Sequence, residues 1–321
     1  MTAKIFIDGE AGTTGLQIRA RMEARDDLDF IQLSDEHRKD VNARRDALNT
    51  ADVSILCLPD AAAKDALALI ESNDAKVIDA SSAHRIASGW AYGFPEFDAG
   101  QREAIAKAAR VTNPGCYAIS SVAMLHPLVK AGVVPSDWPI TINAISGYTG
   151  GGKSLISEFE DESADNYSTA TFWAYGLGLE HKHVPEIEQW GGLAHKPLFV
   201  PSVGRYRQGM LVQLPLQLWA LPGTPTEGDL VQVFKTHYAG EPYVEVADLA
   251  DTAAMARLNP EDLNGTNKMR IHVFGHEERQ QAVVMVLIDN LGKGASGQAV
   301  QNLNIMLGAD EGKGLDTPLV Y

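Results

Sequence analysis

Cysteine is scarce in this chain: Cys57 and Cys116 are the only two in 321 residues. The first lies in a strand-like run and the second at a turn, which argues against a disulfide framework and for reduced thiols. No Cys/His spacing of the zinc-binding kind occurs, so no metal site is expected. Long apolar runs are missing too, none approaching the roughly 18 residues that span a bilayer. Met1-Thr2-Ala3-Lys4-Ile5 passes straight into a strand with no charged-then-apolar leader. A cytoplasmic protein with no membrane partner is expected. Basic residues are in deficit, 27 Lys and Arg against 42 Asp and Glu, a formal charge of −15. That balance argues against nucleic acid as a partner, although one or two local Arg or Lys residues suffice for a small anionic ligand. Repeats and low-complexity tracts are absent as well. What is present is a chain 45% hydrophobic, enough for a large core and, by its length, for two domains.

The chain turns on Asn113-Pro114-Gly115-Cys116-Tyr117 and the apolar run Ala118 to Leu125. Pro114 and Gly115 make a tight turn, so Cys116 should open the helix that Ala118, Ile119, Val122, Ala123 and Leu125 continue, with Pro127 near its end. A thiol there faces free backbone N–H groups and the positive end of the helix dipole, which favour thiolate. Cys116 is therefore a candidate nucleophile, against the bland alternative of a small buried hydrophobe.

Upstream, the strand Lys4–Asp8 leads into Gly9-Glu10-Ala11-Gly12-Thr13-Thr14-Gly15 and a helix from Leu16 to about Arg25. The spacing G-x-x-G-x-x-G is a variant of the dinucleotide fingerprint, in which glycines let the backbone approach a pyrophosphate at a helix N-terminus. A second strand, Phe30–Leu33, ends at Ser34-Asp35-Glu36-His37-Arg38-Lys39. A cofactor ribose belongs near this point, and Ser34, Arg38 and Lys39 suit the 2′-phosphate of NADP, with Asp35 as a contrary sign. Strand Val53–Leu58, helix Ala61–Ser72 and strand Lys76–Ala80 follow, the last leading into Ser81-Ser82-Ala83-His84-Arg85. Alternation to this depth predicts a Rossmann-type doubly wound parallel sheet, with ligands beyond the carboxyl ends of its strands.

After a helix at Gln101–Ala109 and the Cys116 turn, the texture changes. Pro139–Ile145 reads as an alternating strand, followed by the glycine-rich loop Ser146-Gly147-Tyr148-Thr149-Gly150-Gly151-Gly152-Lys153. That loop fits a triphosphate-binding pattern only in part, and a substrate pocket suits it better. Glu180-His181-Lys182-His183-Val184-Pro185-Glu186-Ile187 places two histidines in a loop before a helix near Pro185. Without a further Cys/His cluster, acid/base work is preferred to metal binding. Strands at Leu198–Val203, Gly209–Ala220, Tyr243–Val246, Lys268–Phe274 and Gln281–Ile288, with a helix at Glu227–Tyr238, predict a second α+β domain with a mixed or antiparallel sheet. Asn290-Leu291-Gly292-Lys293-Gly294 precedes a final helix, Gly297–Leu307.

Taken together, Gly9–Gly15, Ser81–Arg85, Asn113–Tyr117, Gly147–Lys153, His181–Ile187 and Asn290–Leu303 resemble the N-acetyl-gamma-glutamyl-phosphate reductases of arginine biosynthesis, in their short form. These stretches span nearly the whole chain. The cysteine and H-x-H-x-P-E-I motifs are specific as a pair, whereas the glycine turn is shared with many dehydrogenases. The resemblance implies kinship in fold with aspartate-semialdehyde and glyceraldehyde-3-phosphate dehydrogenases. It implies an NADP-binding Rossmann domain over 1–115 and 297–321, a catalytic and subunit-contact domain over 116–296, and a homodimer or homotetramer. It further implies an acyl phosphate substrate, Cys116 as nucleophile, and His183 or His181 as acid/base, the motif leaving that choice open with a slight preference for His183. Arg85 would hold the substrate anion, with Asn113, Gly147, Lys153 and Glu186 as further substrate contacts. Gly9, Gly12, Thr13, Thr14, Gly15, Ser34, Arg38, Ser81 and Asn290 would form the cofactor site.

The chemistry suits these residues. A thiolate expels phosphate from an acyl phosphate and leaves a thioester, which accepts hydride. The rivals are the same chemistry on aspartyl phosphate or on a carrier-linked glutamyl or aminoadipyl phosphate, and a regulator that senses NADP without turnover.

Overall fold

The computed structural model describes residues 2–315; residue 1 and residues 316–321, which fall in the expected first domain, lie outside the described residues. The chain divides into two compact units. One comprises the residues up to Pro95, Ala99–Gly115 and the chain from Ala295 onward, and the other Glu96–Asp98 with Cys116–Gly294.

In the first unit, β1 (Ala3–Asp8), β2 (Leu28–Ile31), β3 (Val53–Leu56), β4 (Lys76–Asp79), β5 (Ala91–Tyr92) and β6 (Arg110–Thr112) form one sheet in the order β2-β1-β3-β4-β6-β5. All five pairings are parallel. Helices α1 (Thr13–Met22), α2 (Val41–Thr50), α3 (Asp60–Ala68) and α4 (Gln101–Lys107) supply the crossovers and cover. Ile5, Val53, Ile55, Leu56, Val77 and Ile78 are fully buried, as a parallel sheet covered on both faces requires. Strand order reverses at β1/β3, the crevice where open α/β sheets take ligands. The C-terminal helix Gly297–Leu307 belongs to this unit: the Asn302 amide donates to Gly93 O at 3.0 Å and to Asn113 Oδ1 at 3.1 Å, and Lys76 Nζ to Met306 O at 2.7 Å.

Local differences from the sequence reading have local causes. Helix α1 starts at Thr13 rather than Leu16, because extended Gly12 already caps it and its carbonyl accepts the Leu16 N–H. Strand β2 lies two residues earlier than expected, pairing Ala3 with Leu28. Helix α2 was not anticipated: only Ala47 and Leu48 of its ten residues are buried, too few for an apolar stripe, and its start is set by Asp40, whose carboxylate accepts the Ala43 N–H at 2.8 Å.

In the second unit, β7 (Thr141–Gly147), β8 (Phe172–Ala174), β9 (Leu198–Gly204), β10 (Met210–Gln217), β11 (Val244–Val246), β12 (Met269–His276) and β13 (Gln281–Ile288) run in the order β11-β12-β13-β10-β7-β9-β8. The β7–β9 and β11–β12 pairs are parallel and the others antiparallel, so the sheet is mixed. Its helices are α5 (Cys116–Lys130), α6 (Gly152–Glu160), α7 (Val184–Gly191), α8 (Glu227–His237) and α9 (Leu249–Ala253). Helix α5 packs on β10, β13, α7 and α8 with eleven of its fifteen residues buried. It continues past Pro127 to Lys130. Proline there has no N–H for the Ala123 carbonyl, and Tyr238 fills the gap by donating its hydroxyl to Ala123 O at 2.9 Å. The expected architecture, a Rossmann-type doubly wound parallel sheet plus an α+β unit with a mixed sheet, is the one observed.

Candidate active site

In the first unit the glycine turn follows β1 at the sheet's reversal. Gly9 has φ 88°, and a Cβ there would stand 2.4 Å from Cys57 O, so only glycine fits. The Gly12 N–H closes the turn onto Gly9 O at 2.9 Å, and a Cβ at Gly15 would press within 2.7 Å of Glu10 Cα. No side chain caps α1, whose first turn carries Thr13 and Thr14 partly exposed. Those orphan N–H groups and the bare glycine cradle fit a pyrophosphate. Beside the turn, the buried Asp8 carboxylate accepts from Arg44 at 2.7 Å. Ser34 is exposed and bonded to His37 Nδ1 at 2.9 Å, and Arg38 faces Asp35 at 3.5 Å. A half-exposed pair of this kind is weak and can re-aim toward a stronger anion.

Asp79 ends β4 fully buried and organises the next loop. Its oxygens accept the Ser81 N–H at 2.9 Å and the Ser81 hydroxyl at 2.8 Å, and His84 Nδ1 lies at 2.6 Å. The His84 ring in turn stacks on Trp90 at 4.5 Å. Arg85 is buried, donating from Nε to Asn113 O at 3.2 Å and from a terminal nitrogen to Ala80 O at 3.1 Å, which ties the loop to the end of β6. The Asn113 amide donates to Ala295 O at 3.0 Å and accepts from Asn302. Ser81, Arg85 and Asn113 are therefore gathered at the carboxyl ends of β4 and β6, and each makes bonds within the protein.

In the second unit Cys116 is the first residue of α5 and partly exposed. Tyr117 carries the cluster around it: its ring meets His181 and His183, each at 5.8 Å, and Phe199 at 5.3 Å, while the two histidine rings stand 4.7 Å apart. Tyr175 donates its hydroxyl to Tyr117 at 3.1 Å, and Tyr117 donates to Ser202 O at 3.2 Å. Burial, eased by the Tyr117 bond and reinforced by a charge on Cys116, pushes the Tyr175 phenol up to about 12. The His183 N–H donates to His181 Nδ1 at 3.1 Å. A neutral imidazole accepting at Nδ1 carries its proton on Nε2, so His181, partly exposed, presents a donor there. His183 is buried at the start of α7, and Glu186 is buried in that helix's first turn.

The glycine-rich loop after β7 is held by residues the sequence placed elsewhere. A Cβ at Gly147 would come within 2.6 Å of the Arg207 carbonyl. Asn290 is buried, accepting the Gly209 N–H at 2.7 Å and donating to Thr149 Oγ1 at 3.1 Å, so its amide braces this loop. Lys153 is exposed at the second position of α6.

Two family models match the chain, "Semialdehyde dehydrogenase, NAD binding domain" over residues 6–108 and "Semialdehyde dehydrogenase, dimerisation domain" over 116–290. Proteins named N-acetyl-gamma-glutamyl-phosphate reductase from Brucella anthropi and Brucella ovis are each 51% identical over 309 residues, covering 96% of this chain and 99% and 100% of theirs. The chain belongs to the N-acetyl-gamma-glutamyl-phosphate reductase family. Solved structures similar to this family member include aspartate semialdehyde dehydrogenase II from Vibrio cholerae, with TM-score 0.69 and 14% identity over 96% of this chain and 99% of that one. An aspartate semialdehyde dehydrogenase with NADP from Candida albicans gives TM-score 0.64 and 14% identity, covering 96% of this chain and 99% of that one. At such identity the likeness shows the fold alone.

Sequence reasoning missed three side chains in this reductase-family chain. Tyr117 stood in the cysteine motif without a role, and Tyr175 lies in a loop with no pattern to mark it. Asp79 did carry a signal, a carboxylate ending an otherwise apolar buried strand.

Proposed function

We propose that this chain reduces N-acetyl-L-glutamyl 5-phosphate to N-acetyl-L-glutamate 5-semialdehyde, releasing phosphate, as a step of arginine biosynthesis. The observation that carries the reading is Cys116 at the head of α5 with Tyr117 against both histidines, in a chain 51% identical to named reductases. The Cys116 thiolate attacks the acyl carbon and expels phosphate, leaving a thioester. NADPH, when bound, supplies the hydride that reduces this thioester. His181 Nε2–H gives its proton to the carbonyl oxygen as charge develops on it and takes it back as the thiohemiacetal collapses, the C–S bond breaking to free the aldehyde and the thiolate. The Nδ1 bond from His183 N–H supports His181 in this role, where the sequence alone leaned to His183. Buried Arg85, oriented by Asn113 O and Ala80 O, meets the substrate anion with its planar fork. Gly147, Lys153, Glu186 and Asn113 shape the substrate side.

The residues present fit a dinucleotide: Gly9, Gly12, Thr13, Thr14 and Gly15 form the cradle, with Ser81 and Asn290 bracing loops of the site. Exposed Ser34 and Arg38 support the 2′-phosphate form, NADP. The domain roles follow, cofactor binding by 1–115 and 297–321 and catalysis with subunit contact by 116–296. Self-association is supported by the edge strand β8, whose Phe172 is exposed, and by exposed Leu177 and Leu179 just after it. No helix among the described residues is long and apolar enough to cross a membrane, in keeping with a cytoplasmic location.

The test follows NADPH absorbance with a panel of acyl phosphates. Turnover of N-acetylglutamyl phosphate well above aspartyl and carrier-linked glutamyl phosphates is expected; no turnover of it sinks the reading, and faster turnover of another member reassigns the acyl group. In the reverse, oxidative direction Arg85→Ala should raise the KM for phosphate, and an unchanged KM removes Arg85 from the phosphate site.

A further inference from the structure

We propose that the buried Lys293–Glu96 ion pair, acting through Gly294, is a positioning device for the Cys116 thiol. The proposal rests on Cys116 being the nucleophile. Both charged side chains are fully buried, with Lys293 Nζ at 2.8 and 3.0 Å from the two Glu96 oxygens. Removing an ammonium and a carboxylate from water is costly, and an apolar pair of similar volume would usually serve stability as well. Retaining the charges makes sense where they fix a register rather than add stability.

The register in question is that of the residues around Lys293. Gly292–Ser296 is a five-residue π-helical turn, a rare conformation frequently found at functional positions. Its entry is nailed down by Asp289, whose carboxylate accepts from Gln208 at 2.6 Å, Gly265 N at 2.8 Å and Leu291 N at 2.8 Å. The Asp289 carbonyl then accepts the Gly294 N–H at 2.9 Å. Gly292 lies so close to Thr266 O that a Cβ would stand 2.1 Å away, and a Cβ on Gly294 would stand 2.8 Å from Cys116 Cβ. Gly294 is thus the wall against which the Cys116 side chain rests. The residue before it carries the charge that Glu96 holds, and the Lys293 ammonium also sits 5.6 Å over the Tyr243 ring. Released from Glu96, the wide turn is free to tighten toward α-helical spacing, which shifts Gly294 and with it the face that sets the Cys116 rotamer.

The experiment compares the full-length wild type with three variants: the double Lys293→Met/Glu96→Met, which replaces the pair by apolar chains, Gly294→Ala, and Lys293→Arg, which keeps the charge. The readouts are kcat, substrate KM, thermal unfolding, and the pH profile of Cys116 alkylation by iodoacetamide. The expected result for the double variant is cooperative unfolding, KM within about twofold, kcat down tenfold or more and an altered alkylation profile, with Lys293→Arg recovering part of kcat. Gly294→Ala should move kcat and alkylation the same way, and it decides the matter if the double variant does not fold. A folded variant of either kind with wild-type kcat and alkylation profile overturns the proposal. Persistence of turnover after complete alkylation of wild-type Cys116 overturns the nucleophile assignment instead, so the two failures are told apart.

Discussion

Cys57 and Cys116 both follow parallel strands of the first unit's sheet in the sequence, yet their surroundings are opposite. Cys57 comes directly after β3, its carbonyl against Gly9, and burial followed by the charges of Asp79, Asp8 and Glu10 pushes its thiol up to about 12. Cys116 starts a 15-residue helix, whose N-terminal dipole end favours thiolate, and the next residue, Tyr117, meets the imidazoles of His181 and His183. The surroundings hold the Cys57 thiol protonated, while the proposed role of Cys116 needs a thiolate. What differs is that a helix begins at Cys116, whereas Cys57 is buried with the charges of Asp79, Asp8 and Glu10 acting on it.

The largest effect that would break this comparison is on turnover. Cys116→Ser should lower kcat by at least roughly 10³-fold, and Cys57→Ser by less than about twofold; equal losses in steady-state assays would mean the environments do not sort the two thiols. Next, His181→Gln should lower kcat by ~10²–10⁴-fold, and His183→Gln less, a ranking reversed if His183 carries the proton. A smaller effect sharpens the inert side. Gly9→Ala forces a side chain into a left-handed position against the Cys57 carbonyl, so denaturant unfolding should show a loss of about 1–3 kcal/mol and mass spectrometry should find Cys57 newly labelled by iodoacetamide. A variant of wild-type stability would show that the turn has room to move.

The smallest effect extends the comparison to other buried groups. The desolvation that lifts the Cys57 thiol lowers His126 and His237, with Asp98 opposing and Lys130 adding to the fall in both. A histidine whose folded-state value lies below its unfolded value near ~6.5 contributes stability that is present above that pH and lost as the pH falls through the folded value. Unfolding midpoints should therefore decline below about pH 6.5, and His126→Phe should flatten that decline. An identical slope in the variant would assign the acid sensitivity elsewhere.

Much of this was legible because the informative patterns are local. The strand, glycine turn and helix around Gly9, the run of alternating strands to Lys76, and the turn opening a helix at Cys116 each announce themselves within about a dozen residues. What stayed hidden depends on distant partners. Helix α2 has little apolar face and is set by the Asp40 cap, and the three-residue strand β8 exists because β9 offers it an edge. The resemblance assigns Asn290 to the cofactor site, and the bonds of its amide to Gly209 and Thr149, across long stretches of chain, were not legible in the sequence. The tautomer of His181 likewise comes from a backbone N–H two residues on, a geometry that spacing alone does not reveal.

The C-terminal helix carries Gln298, Gln301, Asn302 and Asn304 fully buried in the first unit. The Asn302 amide donates to Gly93 O and Asn113 Oδ1 and the Gln301 amide to Glu311, and Arg25 reaches Asn304 at 2.5 Å. During synthesis, the parallel sheet emerges from the ribosome early and then waits for nearly the whole remainder to be translated before this polar keystone arrives. A chain stalled before Gly297 lacks both the amides that bond Gly93 and Asn113 and the apolar face of Val300 and Leu303, so the first unit closes only late in synthesis.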